Sequence, residues 1–290
     1  MLRLLASVIG TTALVSISII SAAFAQQPPQ VNVTVPPPGA PAAPADESSA
    51  LAEKLQNPIA DLISVPFQNN TNFNVGPSKG VQDILNIQPV IPIQLNQDWN
   101  LITRTILPLV WSPSYEPAAS VPPFGLSPTT FSAFLSPTKE WNDWTVGGGL
   151  IAELPTITNK NLGSNVWGLG PAGVVVRVHH PWVYGTLVNT VFSLAGTSGR
   201  GGTSYIFTTI NPFVNYNFGE GWFVGSSLIT TASWDTAGEK WTLPVGAQAG
   251  RLIKIGGKLP VNLLVGAYYN ALRPSGTGTW QLRTQITFVF

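Results

Sequence analysis

The sequence has 290 residues, of which 14 are basic and 13 acidic, so charged side chains make up only 9% of the chain. In typical soluble domains, about a quarter of the residues are charged. This balance leaves no basic field for nucleic acid and no acidic tail. The absence of cysteine excludes disulfides, thiolate metal sites and a lipoprotein anchor. Low charge with a positive mean hydropathy favours an outer surface solvated by lipid.

Residues 1–25 are typical of a secretory signal peptide. Arg3 gives a positive start, residues 4–20 form an apolar core, and Ala23-Phe24-Ala25 supplies a small-residue cleavage site. The other interpretation is an uncleaved anchor, because the apolar run is near the lower length limit for a membrane span. The cleavage site favours removal. No later stretch is long and apolar enough for a spanning helix, so the sequence predicts an exported chain that enters a membrane through strands.

A Pro/Ala-rich linker at residues 26–46 precedes the predicted fold, and its prolines predict an extended, disordered segment. Residues 47–58 predict a short helix, with Asp46 as its cap and Pro58 after its end. This helix would plug a barrel or serve as a periplasmic tether. The tether is the interpretation that the sequence favours.

Strand and turn signals alternate from Ser64 onward and predict about twelve strands, an even number, each long enough to cross a bilayer when tilted. The predicted strands are 64–75, 81–95, 99–112, 126–137, 144–157, 167–178, 182–195, 204–218, 222–234, 241–254, 260–273 and 280–290. Their connections alternate between tight turns and mostly longer loops. That asymmetry is typical of periplasmic turns and extracellular loops.

The last predicted strand, 280–290, has one apolar face with aromatic ends and one polar face. A soluble β-sandwich would turn the apolar face inward, whereas an outer-membrane barrel turns it toward lipid. The aromatic end at Phe290 resembles the closing strand of bacterial outer-membrane proteins. That resemblance implies recognition by the barrel assembly machinery. The sequence therefore predicts an all-β, single antiparallel up-and-down transmembrane barrel in the bacterial outer membrane.

Aromatic residues cluster at the strand ends. In two interfacial girdles, amphipathic rings lie at the lipid–water boundary. The predicted girdle residues are Trp99, Trp111, Trp144, Trp167, Trp182, Trp222, Trp234, Trp241, Trp280 and Phe290.

If the tryptophans at the strand ends face lipid, the alternate positions of each strand face the lumen, and these predict an amide-rich lumen with few charges. Its candidate lining residues are Gln68, Asn70, Asn72, Gln88, Arg104, Glu153, Asn189, Asn211, Asn215, Gln248, Asn262, Asn270, Arg283 and Gln285. Parity is ambiguous in 126–137 and 167–178. Glu153, Arg104 and Arg283 would line a constriction with weak ion preference, or form a satisfied structural cluster; the sequence leaves both open.

Prolines inside the predicted strands conflict with a regular closed barrel, because each removes a ladder donor and should mark a bulge or kink. They are Pro66, Pro89, Pro92, Pro108, Pro155, Pro171, Pro212 and Pro244. One interpretation is local bending that helps closure. The other is a lateral exit from lumen to lipid.

Several segments resemble one known family. They are N-P-I-A-D-L-I-S-V-P-F-Q-N-N-T-N-F (57–73), N-I-Q-P-V-I-P-I-Q-L-N-Q-D-W-N-L-I-T-R-T-I-L-P (86–108), F-L-S-P-T-K (134–139), N-P-F-V-N-Y-N-F-G-E-G-W (211–222) and A-Y-Y-N-A-L-R-P (267–274). The chain resembles the proteobacterial outer-membrane family linked to the meta-pathway of phenol degradation. The resemblance implies an outer-membrane barrel that takes up small, often hydrophobic or aromatic, compounds.

No catalytic, cofactor or metal site is predicted. The two histidines, His179 and His180, are neighbours that would face opposite ways on a strand, and no G-x-S-x-G or H-E-x-x-H motif occurs. The predicted function is passive or facilitated passage of small solutes, without an enzymatic step. The predicted partners are outer-membrane lipid and the solute. The alternative is a non-transporting structural or surface-interaction barrel.

Overall fold

The computed structural model describes residues 47–114, 122–194 and 204–290. The predicted signal peptide and the whole of the predicted linker, residues 26–46, lie outside these residues. The first described element is helix α1 (Glu47–Gln56), and a 3-10 turn spans Lys160–Leu162. The strand segments are β1 (Ser64–Val75), β2 (Gly80–Ile87), β3 (Val90–Gln94), β4 (Trp99–Trp111), β5 (Phe124–Leu126), β6 (Thr129–Pro137), β7 (Trp144–Leu154), β8 (Gly168–His179), β9 (Trp182–Ser193), β10 (Ile206–Gly219), β11 (Trp222–Ser227), β12 (Thr230–Ser233), β13 (Trp241–Ile255), β14 (Leu259–Leu272) and β15 (Trp280–Val289).

These segments form one closed antiparallel barrel of twelve strands, because three pairs of segments, β2 with β3, β5 with β6 and β11 with β12, each make a single barrel strand. Every barrel strand pairs with its neighbours in chain order. The first and last strands close the barrel through pairs from Ser64↔Val289 to Phe73↔Trp280. The predicted fold class, an up-and-down barrel of about twelve strands, is confirmed.

Short turns lie at one end of the barrel, and most of the longer connections lie at the other. We call these the short-turn end and the long-loop end. In the turn between β13 and β14, Gly256 and Gly257 have φ of 59° and 70°. Glycine adopts such positive φ values without a steric penalty, so the chain can reverse tightly here. The long-loop end includes the connection at 155–167 and the described ends of the connections after β4 and β9.

The strands turn apolar side chains outward, and in part of the barrel they turn mostly polar or small ones inward, as side chains alternate along a pleated strand. In β15, Leu282 and Ile286 are exposed, whereas Arg283 and Thr287 are buried. The same outward exposure of apolar residues recurs in β14, where Val265 is 52% exposed. The outer surface is therefore apolar, and the part of the interior that β15 lines is polar.

One half of the interior is apolar. Strands β4 and β6 to β9 turn a packed group inward that includes Ile102, Phe134, Val176 and Val183. Ile59, which follows helix α1, is 2% exposed and belongs to the same group. The strands predicted at 126–137 and 167–178 contribute to this group. Their parity was ambiguous in the sequence because both of their faces carry apolar residues.

The breaks inside the three split strands lie opposite prolines. The amide N of Gln88 donates to the Pro66 carbonyl at 2.9 Å, Ser127 to Pro108 at 3.0 Å, and Leu228 to Pro212 at 2.9 Å. A proline carbonyl still accepts, but its nitrogen cannot return a hydrogen bond, so the regular ladder stops at these points.

Two further prolines lie at interruptions of the ladder. Pro171 pairs with β7 but is skipped in the register with β9. Pro244 lies in the part of β13 between its pairs with β12 and those with β11. Pro155, by contrast, follows the end of β7. The prediction that strand prolines disturb the ladder thus matches the register at these interruptions.

Candidate functional site in the barrel lumen

A cavity of about 1210 Å³ occupies the barrel lumen. Residues Leu55 to Pro58, the end of helix α1 and the two residues after it, line the cavity near the short-turn end. Residues 275–278, in the loop before β15, line it at the long-loop end. The cavity therefore extends along the barrel between its two ends.

The fourteen lumen residues that the sequence pattern singles out all line this cavity. They are Gln68, Asn70, Asn72, Gln88, Arg104, Glu153, Asn189, Asn211, Asn215, Gln248, Asn262, Asn270, Arg283 and Gln285. The strands bring them together because inward positions recur at every second residue around a closed sheet.

The sequence pattern missed the apolar part of the lining. Phe207, Phe213 and Phe223 line the same cavity, as do Ile151 and Leu187. The alternation of side chains along each strand places these residues inward. They were missed because only polar residues were chosen as candidates. Apolar residues on both faces of one strand were the available signal, since such a strand is covered on both sides.

An amide ladder follows the inner wall from β15 to β4. Gln281 donates from Nε2 to Asn72 Oδ1 at 3.0 Å, Asn72 donates to Gln82 Oε1 at 3.4 Å, and Gln82 donates to Ser112 Oγ at 3.0 Å. Amide side chains both donate and accept, so the chain of contacts satisfies buried groups without any formal charge.

Arg283 is buried at 3% exposure beside this ladder. Its Nε donates to Asn70 Oδ1 at 3.3 Å, one terminal nitrogen donates to the Ser227 carbonyl at 3.1 Å, and the other donates to Gln281 Oε1 at 3.2 Å. The guanidinium carbon lies 4.4 Å from the centre of the Tyr268 ring. Cation–π contact and three neutral acceptors therefore hold the cation in place.

Arg104 and Glu153 also line the lumen, but with other partners. Arg104 donates to Gln88 Oε1 at 2.5 Å. The Glu153 carboxylate accepts from the Tyr205 hydroxyl, and burial together with that carboxylate raises the pKa of Tyr205. Among the described residues, none of Arg104, Glu153 and Arg283 forms a salt bridge.

Helix α1 and the residues after it lie in the mouth of the barrel at the short-turn end. Gln56 Nε2 donates to Asn217 Oδ1 at 2.8 Å, and Asn57 Nδ2 donates to Thr145 Oγ1 at 3.3 Å. Ile59 is buried in the apolar half of the interior. The segment is thus anchored inside the mouth, a placement closer to the plug than to the tether that the sequence favoured.

Two side-chain contacts hold the helix to the rim. Glu53, whose side chain is 8% exposed, contacts His180 Nδ1 at 2.6 Å. Glu47 contacts Lys254 Nζ at 2.8 Å. His179, the neighbour of His180, contacts Asp143 at 2.9 Å instead. The two histidines therefore have separate partners, in keeping with their expected opposite orientations.

Substituting His180 should loosen helix α1. In His180→Ala, the buried Glu53 loses its partner, and an unpaired buried acceptor costs about 1–3 kcal/mol. Amide hydrogen exchange in residues 47–56 should then become about tenfold faster or more. His179→Ala is the matched control, because Asp143 does not contact the helix. Equal exchange in the two variants would show that the Glu53–His180 contact does not hold the helix.

The ten predicted girdle residues lie at or next to strand ends. Six of the tryptophans are the first or last residue of a strand and turn their side chains outward. Of these, Trp99, Trp111, Trp182, Trp222 and Trp280 are 43–52% exposed, and Trp144 is half-buried. Trp241 begins β13, Trp167 and Trp234 flank β8 and β12, and Phe290 follows β15. The aromatic rings thus mark both rims of the apolar outer surface.

Neither a metal cluster nor a spanning helix is found within residues 47–114, 122–194 and 204–290. No group of three or more potential metal ligands occurs there. No helix there is long and apolar enough to cross a membrane.

No protein-family profile matches the chain, and no curated protein matches its sequence. Among solved structures, the COG4313 outer membrane channel from Pseudomonas putida F1 aligns with a TM-score of 0.56 at 17% identity, covering 79% of this chain and 94% of the channel. The NanC porin aligns at 0.48 with 8% identity, over 79% and 98%. Outer membrane phospholipase A from Escherichia coli aligns at 0.43 with 12% identity, over 78% and 96%. The chain thus shares its barrel fold with an outer-membrane channel.

Proposed function

We propose that the protein is an outer-membrane channel for passive or facilitated passage of small solutes. The observation that carries this proposal is the cavity of about 1210 Å³ that extends along the lumen between the two ends of the barrel. The apolar outer surface with aromatic rims supports insertion in lipid. The fold that the chain shares with an outer-membrane channel supports the same class.

The proposed orientation places the short-turn end in the periplasm and the long-loop end outside the cell. Short periplasmic turns and longer extracellular loops are the usual asymmetry of such barrels. Solute would enter past the outer loops and diffuse along the amide wall. The connection at 113–125, proposed to capture solute, is described only in part.

The proposed substrates are small compounds with hydrophobic or aromatic parts. The resemblance to the phenol meta-pathway family motivates this choice, and the apolar residues Phe207, Phe213 and Phe223 along the cavity support it. A solute with a ring would contact these side chains while its polar groups meet the amides. The ladder interruption beside Pro244 is where a lateral exit to lipid would lie.

Planar-bilayer recording tests the proposal. Refolded mature chain, residues 26–290, should give steady ohmic current steps. Arg104→Glu should change their size, because it reverses a charge inside the lumen. Lys258→Glu is the control, since this exposed residue lies in a turn outside the cavity. Failure to insert would contradict the membrane assignment.

A non-transporting structural barrel is the second candidate. The helix in the mouth and the apolar group around Ile59 fill part of the interior, and this filling favours it. Insertion without any current would support this candidate. In either case, we propose that outer-membrane lipid surrounds the barrel and that the assembly machinery engages β15.

A further inference from the structure

The guanidinium of Arg283 has spare donors at the cavity wall. A guanidinium carries five N–H donors, and Arg283 uses three nitrogens for one contact each, to Asn70, Ser227 and Gln281. All three acceptors are neutral. One N–H group on each terminal nitrogen therefore remains for a molecule in the lumen, and guanidinium N–H groups are well suited to bind carboxylate oxygens.

Positive charge in this cavity is not balanced by the surrounding side chains. Of the described residues that line it, those with a formal charge are Arg104, Glu153 and Arg283. Glu153 contacts the Tyr205 hydroxyl, and no carboxylate lies within ion-pair distance of either arginine in this part of the chain. A buried cation without a counter-ion attracts an anion, because low polarity around it strengthens the attraction.

An apolar surface adjoins the same arginine. The Ser227 carbonyl that accepts from Arg283 belongs to a residue paired directly with Phe213 on β10. Phe213 lines the cavity together with Phe207 and Phe223. A bound anion that carries a ring would therefore find aromatic contacts beside the site that holds its charge.

We propose that Arg283 is the anchor of a binding site for small organic carboxylates with an apolar ring. The carboxylate would accept the two spare N–H groups, and the ring would rest against Phe213. This inference rests on the proposed passage of solutes, since it names the class of solute that the lumen selects. Tyr268, which stacks on the guanidinium, would hold it in the orientation that presents its free edge.

Calorimetric titration of the refolded chain in detergent tests the site. Benzoate should bind about tenfold or more tightly than benzamide, its neutral analogue, because a hydrogen bond to a charged group contributes about 1.5–3 kcal/mol. Arg283→Gln should reduce benzoate affinity by a similar factor, and Arg283→Lys should fall between. Arg251→Gln is the matched control, because it removes one positive charge at the rim outside the cavity.

Equal binding of benzoate and benzamide would overturn the proposal, as would unchanged benzoate binding in a folded Arg283→Gln chain. Circular dichroism verifies that each variant is folded. If a variant does not fold, the comparison of benzoate with benzamide binding to the unaltered chain tests the proposal. The titration does not depend on conductance. A current in the bilayer together with equal binding of the two ligands would support the channel and contradict the carboxylate site. Tighter binding of benzoate without any current would support the site and contradict the channel.

Discussion

Deleting residues 47–58 should raise the conductance of the barrel several-fold. An α-helix with its side chains is about 10 Å wide, which is a large share of the mouth of a barrel of this size. The deletion removes Leu55 to Pro58 from the cavity lining, so the proposed periplasmic mouth becomes wider. Single-channel recording of the refolded variant gives the measurement.

The control for this deletion is removal of residues 27–38, an equal length of the Pro-rich segment. It keeps the helix and its contacts to Asn217 and His180. Conductance should match that of the full mature chain. If the deletion of 47–58 also leaves the current unchanged, the constriction lies elsewhere in the lumen, and the helix is not the plug.

Val265→Arg should destabilise the folded barrel in lipid by about 2–4 kcal/mol, because an arginine on the lipid face near the middle of the bilayer must be desolvated. Val265 is central in β14 and 52% exposed. At an exposed position in water, the same substitution would change stability by no more than about 0.5 kcal/mol. Denaturant unfolding of the barrel in lipid vesicles measures the difference.

Leu264→Arg is the matched control on the adjacent residue, since Leu264 lines the cavity. Its side chain would enter a polar lumen, so the loss of stability should be smaller than for Val265→Arg. The reverse order, with Leu264→Arg the more harmful, would mean that water or another protein covers the outer face. The pair therefore tests which side of the sheet faces lipid.

A two-sided interior is the main structural feature that bears on function. The wall from β13 to β2 carries amides, Tyr268 and Arg283, whereas β4 and β6 to β9 carry the packed apolar group. A solute with one polar and one apolar part is complementary to such an interior. A lumen lined only by amides would not discriminate in this way.

Local alternation let the sequence predict the barrel and much of its lining. Because successive side chains of a strand point to opposite faces, every second residue shares a face. Asn70 and Arg283 could therefore be assigned to the lumen, and Leu282 to the outside. The aromatic residues at strand ends follow from the same register. These features depend on residues close in the chain, which is why the sequence determined them.

Contacts between distant segments were decided only by the tertiary structure. Ile59 enters an apolar group formed by strands far along the chain, and Glu53 meets His180 across the mouth. The three breaks opposite Pro66, Pro108 and Pro212 depend on which strands become neighbours at which register. Periodicity specifies a face but not the partner across it, so the helix in the mouth, the breaks and the Tyr268–Arg283 stack required the closed barrel.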